Sequence, residues 1–177
     1  MDKLEYKGEI YVRRRDKWTD SRNMVVSEGM QKELNAEFVR QLDMGALSVD
    51  ECVQYGDRFK GGGSNGLALR FYEAASENAD FKTMSYILPR MASCYRKIGQ
   101  PQKAIDIMSY ASDTFGSTMI TPALLTSAGA AYCDLEDYKR ARKCCDRALA
   151  ALNGNSSEEL SLVYKRIEKE TKLKQPS

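Results

Sequence analysis

The stretch GAAYCDLEDYKRARKCCDRA, residues 129–148, places a small residue at Gly129, a ring at Tyr132, and then Ala141, Cys145 and Ala148. The same offsets occur twice upstream, as Gly56, Phe59, Ala68, Tyr72 and Ala75, and as Ala92, Tyr95, Ala104, Met108 and Ala111. From Gly56 to Ala92 is 36 residues and from Ala92 to Gly129 is 37. A nearly constant step of that size marks a repeat architecture, in which each unit is one supersecondary element. Two helices pack closely only where a small residue on one admits a ring or long chain of the other. Gly56, Ala92 and Gly129 supply that gap on the first helix of each pair, and Ala68, Ala104 and Ala141 on the second. The breaks between them, Gly61 to Gly66, Gly99-Gln100-Pro101 and Glu136-Asp137, read as tight helix-to-helix turns.

This pattern resembles the tetratricopeptide repeat family, whose units carry W-x2-L-G-x2-Y followed by A-x3-F in about 34 residues. The resemblance covers roughly residues 49–153. The tryptophan slot holds Cys52, Leu88 and Leu125, and the closing proline slot holds Asp80, Gly116 and Asn153. What the resemblance implies is an all-α chain: an α-solenoid of three helical hairpins, its concave groove lined by the first helix of each hairpin. It also implies a non-enzymatic protein–protein interaction module, an adaptor or scaffold that takes a peptide or protein segment in that groove. In this register the peptide-binding candidates are Gln54, Asp57, Tyr86, Arg90, Ser93, Arg96, Lys97, Ser127 and Asp134. Where some members of the family clamp acidic chaperone tails, this chain has Val53, Asp57, Arg90, Ala123 and Ser127. Chaperone tails are therefore not the expected ligand.

The pattern predicts helices over 27–43, 48–61, 65–79, 85–98, 101–115, 121–135, 138–151 and 156–174. Ser48 with Glu51 and Ser156 with Glu159 read as capping boxes, and Thr121 before Pro122 as a cap followed by proline at the first helical position. Pro89 falls about one turn into its predicted helix, which must start late or bend there. Met30, Leu34, Phe38 and Leu42 recur at steps of four, with Gly45 as a stop signal, and predict a capping helix at one end. Leu160, Val163, Tyr164 and Ile167 form the apolar face of another at the other end. Upstream, Tyr6, Ile10 and Val12 alternate with polar residues. They predict a short hairpin turning at Arg15-Asp16-Lys17 and anchored by Trp18, with Met24-Val25-Val26 as a further extended stretch. The division that results is an appendage at 1–26, a capping helix at 27–47, three repeats at 48–153, and a second cap and tail at 154–177.

Composition narrows the chemistry. Apolar residues at 42% and charged residues at 29% are the balance of a globular chain. No signal peptide and no apolar run of membrane-spanning length is present, so a cytoplasmic location is expected. The five cysteines are expected to be reduced. With no histidine at all, Ser-His and Cys-His nucleophiles and imidazole zinc sites are excluded. Gly61 to Gly66 spells G-x-G-x-x-G but lacks the strand before it that a pyrophosphate cradle needs. No catalytic residue, metal or cofactor is expected.

The net charge of +2 is unevenly spread: residues 1–25 hold seven bases and five acids, 26–137 ten and fifteen, and 138–177 ten and five. Arg13-Arg14-Arg15 with Lys17 and Trp18 supplies the alternative reading, nucleic-acid binding through a basic hairpin and a basic C-terminal helix. A homo-oligomer also stays open.

Overall fold

The computed structural model describes residues 2–173, in two compact units that meet between Ala75 and Ser76. The first unit opens with an antiparallel meander, β1 (Lys3–Tyr6), β2 (Glu9–Arg14) and β3 (Lys17–Thr19), in the order β1-β2-β3. Arg13 lies opposite Trp18, and Leu4 opposite Tyr11. Both two-residue turns, Lys7-Gly8 and Arg15-Asp16, hold positive φ at each central position, as type I′ hairpin turns require. The sequence reading anticipated the second turn only. The first strand and its Lys7-Gly8 turn make the appendage three-stranded, and Val25 adds an isolated bridge to Thr19.

Helix α1 (Glu28–Gln41) is capped by the Ser27 hydroxyl. It lies against the sheet with Leu34, Phe38 and Val39 buried. Its Gln31 side chain clamps the β3 backbone, accepting from Trp18 N and donating to Trp18 O, each at 2.8 Å. Gly45 does not act as the helix stop: α1 ends at Gln41, and Gly45 sits inside a single 3₁₀ turn, Met44–Ala46. α2 (Val49–Gly61) begins in the expected capping box, Ser48 Oγ accepting from Glu51 N and Glu51 Oε2 from Ser48 N. The glycine run turns the chain into α3 (Asn65–Ser76), with Ser64 N bonded to Phe59 O at 2.8 Å. It is a helix-to-helix turn, as its context demanded. α3 ends three residues short of its predicted end.

The second unit holds α4 (Phe81–Lys97), α5 (Pro101–Phe115), α6 (Pro122–Asp134), α7 (Tyr138–Ala151) and α8 (Glu158–Leu173). Two expectations are corrected. α4 starts four residues before 85, because the Asp80 carboxylate accepts from Thr83 N at 2.7 Å and caps it. Pro89 therefore sits deep inside α4, not near its start. The cap of α8 is Ser157, whose hydroxyl accepts from Leu160 N, while Ser156 Oγ turns to the Ser157 carbonyl. Position 174, in the predicted span of that helix, lies outside the described residues.

The small-to-large register is realised in atoms. A Cβ on Gly56 would lie 2.5 Å from the Tyr72 ring, and one on Gly129 would lie 3.0 Å from Cys145 Sγ. Ala92, Ala104 and Ala141 are fully buried. α8 covers the apolar side of the α6–α7 pair, with Leu160, Val163 and Ile167 packed among Leu125, Ala141 and Cys145.

Candidate cleft between the fourth and sixth helices

Within the second unit an open cleft of about 590 Å³ is walled by α4 and by the start of α6. Ser85, Tyr86, Pro89 and Arg90 come from α4, and Pro122 and Thr126 from α6. The spacing Tyr86–Arg90 is one helical turn, so the two side chains lie on one face. The Arg90 guanidinium stands 3.4 Å from the Tyr86 ring centroid and donates to the Tyr86 carbonyl at 2.9 Å. This contact sets a cation over the face of a partly exposed ring. Pro89 has no N–H to offer the Ser85 carbonyl one turn back, so that acceptor is released from the helix ladder at the cleft wall. The Pro89 carbonyl in turn accepts from Ser127 Oγ at 3.2 Å, tying α4 to α6. Lys82 and Glu159 stand at the rim.

The remaining predicted residues fall elsewhere. Lys97 is exposed and Ser93 half-buried on α4. Arg96 and Asp134 meet: Arg96 Nε donates to Asp134 Oδ2 at 2.7 Å, and Arg166 of α8 donates to Asp134 Oδ1 at 2.5 Å. These three bind α4, α6 and α8 together. In the first unit, Gln54 is exposed on α2, and Asp57 accepts from the buried Tyr72 hydroxyl at 2.6 Å. Of the predicted candidates only Tyr86 and Arg90 line the cleft; Lys82, Ser85, Pro89, Pro122 and Glu159 are among the lining residues not anticipated.

Burial pushes the Asp134 carboxyl upward, but the hydrogen bonds and charges of Arg96 and Arg166 outweigh it and hold it below the usual carboxylate range. The folded state thus favours the ionised form. Its contribution is fully present above the ordinary aspartate value, about 3.9, and is lost as pH falls through the lower folded value. Urea unfolding between pH 7 and pH 3 is expected to show a larger loss of stability in the native protein than in Asp134→Asn. Parallel profiles would contradict the network.

The arginine run behaves differently from its sequence reading. Trp18 is 0% exposed and donates through Nε1 to Asn35 Oδ1, so it offers no stacking face to a base. Arg13 is buried too, over the rings of Trp18, Phe38 and Phe59 at 4.4, 4.9 and 5.1 Å. The hairpin part of the nucleic-acid reading is thereby corrected: its ring and its first arginine belong to the core. The C-terminal surplus of bases is also relocated. α7 carries Lys139, Arg140, Arg142, Lys143 and Arg147 against Asp146, whereas α8 carries four bases and four acids.

All five cysteines are buried thiols outside any disulfide. Burial pushes the Cys145 thiol up to about 12, which keeps it un-ionised and unreactive near neutrality. A thiol-reactive chromophore is expected to label none of the five quickly in the native protein and all five after unfolding. Rapid native labelling would contradict this packing. Among the described residues no group of three or more His, Cys, Asp or Glu side chains is placed to hold a metal ion, and no helix is long and apolar enough to cross a membrane.

No family model matches the chain and no curated protein matches it at a significant level. Among solved structures it is similar to the TPR domain of Sgt2 from Aspergillus fumigatus, with a TM-score of 0.59 and 18% sequence identity. The match covers 73% of this chain and 85% of that one. The fold is therefore all-α and tetratricopeptide-like, with eight α-helices among the described residues and a small three-stranded sheet near the N-terminus.

Proposed function

We propose that the protein is a non-enzymatic interaction module, an adaptor or scaffold in the cytoplasm, and that the hairpin segment 48–153 carries its binding surface. The observation that supports this most is the α4–α6 cleft with its stacked Tyr86–Arg90 pair. A partner segment with a carboxylate and a neighbouring aromatic or aliphatic side chain suits it. An arginine guanidinium donates charge-assisted hydrogen bonds to carboxylates, and a tyrosine ring supplies rigid apolar area. The Ser85 carbonyl adds an acceptor for a peptide N–H. The tetratricopeptide-like fold favours the same reading, because stacked helical hairpins present recessed surfaces to extended segments.

The test is selection of peptides from a random display library against the whole protein, followed by affinity measurement on variants. Arg90→Ala is expected to weaken the selected acidic peptides by about 1 to 3 kcal/mol, as for a central anchor, with helicity unchanged by circular dichroism. Undiminished binding of every selected peptide to Arg90→Ala would overturn the assignment.

A further inference from the structure

A second recess lies in the same unit, away from the α4–α6 cleft, with a volume of about 650 Å³ between α7 and α8. Along its α7 side run Lys139, Lys143 and Arg147, at successive steps of four residues, with Arg142 beside them. Steps of four rise about 6 Å each, so these three cations form a row of about 12 Å on one face of the helix. Among the described residues no carboxylate stands within ion-pair distance of Lys139, Arg142, Lys143 or Arg147. The acid that lines the recess, Asp146, accepts from the Tyr164 hydroxyl at 2.7 Å. The floor is apolar: Ala150 and Ile167 line it, flanked by the aliphatic stems of the cations and by Thr171.

From this arrangement we infer that the α7–α8 groove docks an acidic amphipathic helix of a partner protein. Such a helix would set carboxylates at steps of four against the cation row and aliphatic side chains against Ala150 and Ile167. Charge complementarity selects the sign of the partner. α7 as a whole carries five bases and one acid, whereas α8 opposite it is balanced at four and four. The apolar floor selects a peptide over a nucleic acid, because single strands are held by exposed stacking rings. Tyr164 is pinned to Asp146, and Tyr138 is half-buried. A partner helix matches the row in pitch, since carboxylates at its own steps of four also repeat every ~6 Å.

The experiment uses a display library of helix-forming peptides, about 15 residues long, with randomised positions on one face. It is selected against the whole protein and counter-selected against Lys139→Glu/Lys143→Glu/Arg147→Glu. Enriched peptides are expected to carry Glu or Asp at steps of four beside Leu or Ile. They should lose at least ten-fold in affinity for the triple variant, and about as much for the milder Lys139→Gln/Lys143→Gln, while both variants keep native helicity and melting. Arg90→Ala is expected to leave these peptides unaffected, which separates this groove from the α4–α6 cleft. Failure to enrich acidic helices, or equal affinity for the charge-reversed protein, overturns the inference. So does a labelled 20-nucleotide RNA that displaces the peptides at 150 mM salt. A concentration-dependent dimer in sedimentation that the triple variant abolishes would assign the groove to a second copy of the chain instead.

Discussion

Arg13→Ala is expected to destabilise the first unit by about 3 to 5 kcal/mol, the cost of breaking a buried, partnered charge site. Arg13 is 6% exposed. Its Nη2 donates to Asn35 Oδ1 at 2.6 Å, its Nη1 lies 3.5 Å from Asp2 Oδ2, and its plane is surrounded by the three rings of Trp18, Phe38 and Phe59. Burial pushes it down to about 10, against the opposing pull of Asp2, so it remains charged at neutral pH. Truncation removes the cation that these ring faces attract and opens a cavity at the centre of the unit. Lysine does not substitute, because one ammonium cannot reach Asn35 and Asp2 together as a planar fork does. Arg13→Met, which keeps volume without charge, is expected to cost less than Arg13→Ala. The chain has one tryptophan, so urea unfolding followed by Trp18 emission reports on this unit directly. An unchanged midpoint in Arg13→Ala would mean that the box contributes nothing.

That box shows where reading a sequence loses its grip. Arg13, Arg14 and Arg15 are chemically identical, and only the first faces inward. Its environment is assembled from Asp2, Asn35, Phe38 and Phe59, which lie on a different segment, on α1 and on α2. No local window contains that information. The helical hairpins were legible for the opposite reason: their close crossings need a small residue at a fixed offset, and offsets are what a sequence displays. Gly56 against Tyr72 and Gly129 against Cys145 occupy the slots the repeat assigned them.

The candidate site was legible to the same depth. Tyr86 with Arg90 is a one-turn spacing and could be read directly. Arg96 and Asp134 were singled out separately, but their pairing spans 38 residues and depends on how α4 and α6 cross. Arg166, which completes the network, carried no signal beyond being one of several bases on α8. The Asp80 cap was missed because it lacks a glutamate three residues on, and with it went the true depth of Pro89 in its helix.

Gly56→Ala is expected to destabilise the first unit by about 3 kcal/mol, at the upper end for overpacking. In an open helical position the same change is favourable by about 0.4 to 1 kcal/mol, because alanine loses less backbone freedom on folding than glycine. Gly66 on α3 is such a position, with no atom within 4 Å of an added Cβ. At Gly56 the added carbon would meet Tyr72 Cε1 at 2.5 Å and Cδ1 at 2.7 Å. The ring has nowhere to retreat: Tyr72 is 0% exposed, and its hydroxyl is fixed by Asp57 at 2.6 Å. α2 and α3 must therefore separate, which loosens the stacked rings of Phe59 and Phe71, now 5.4 Å apart. Thermal unfolding should place Gly56→Ala below the native protein and Gly66→Ala slightly above it. In the double variant Gly56→Ala/Tyr72→Leu, the smaller side chain makes room for the new methyl. The cost of Gly56→Ala measured in the Tyr72→Leu background should fall by at least half, a coupling expected only of residues in contact. Additive losses would mean that these two residues do not meet, and the register of the whole repeat would have to be reassigned.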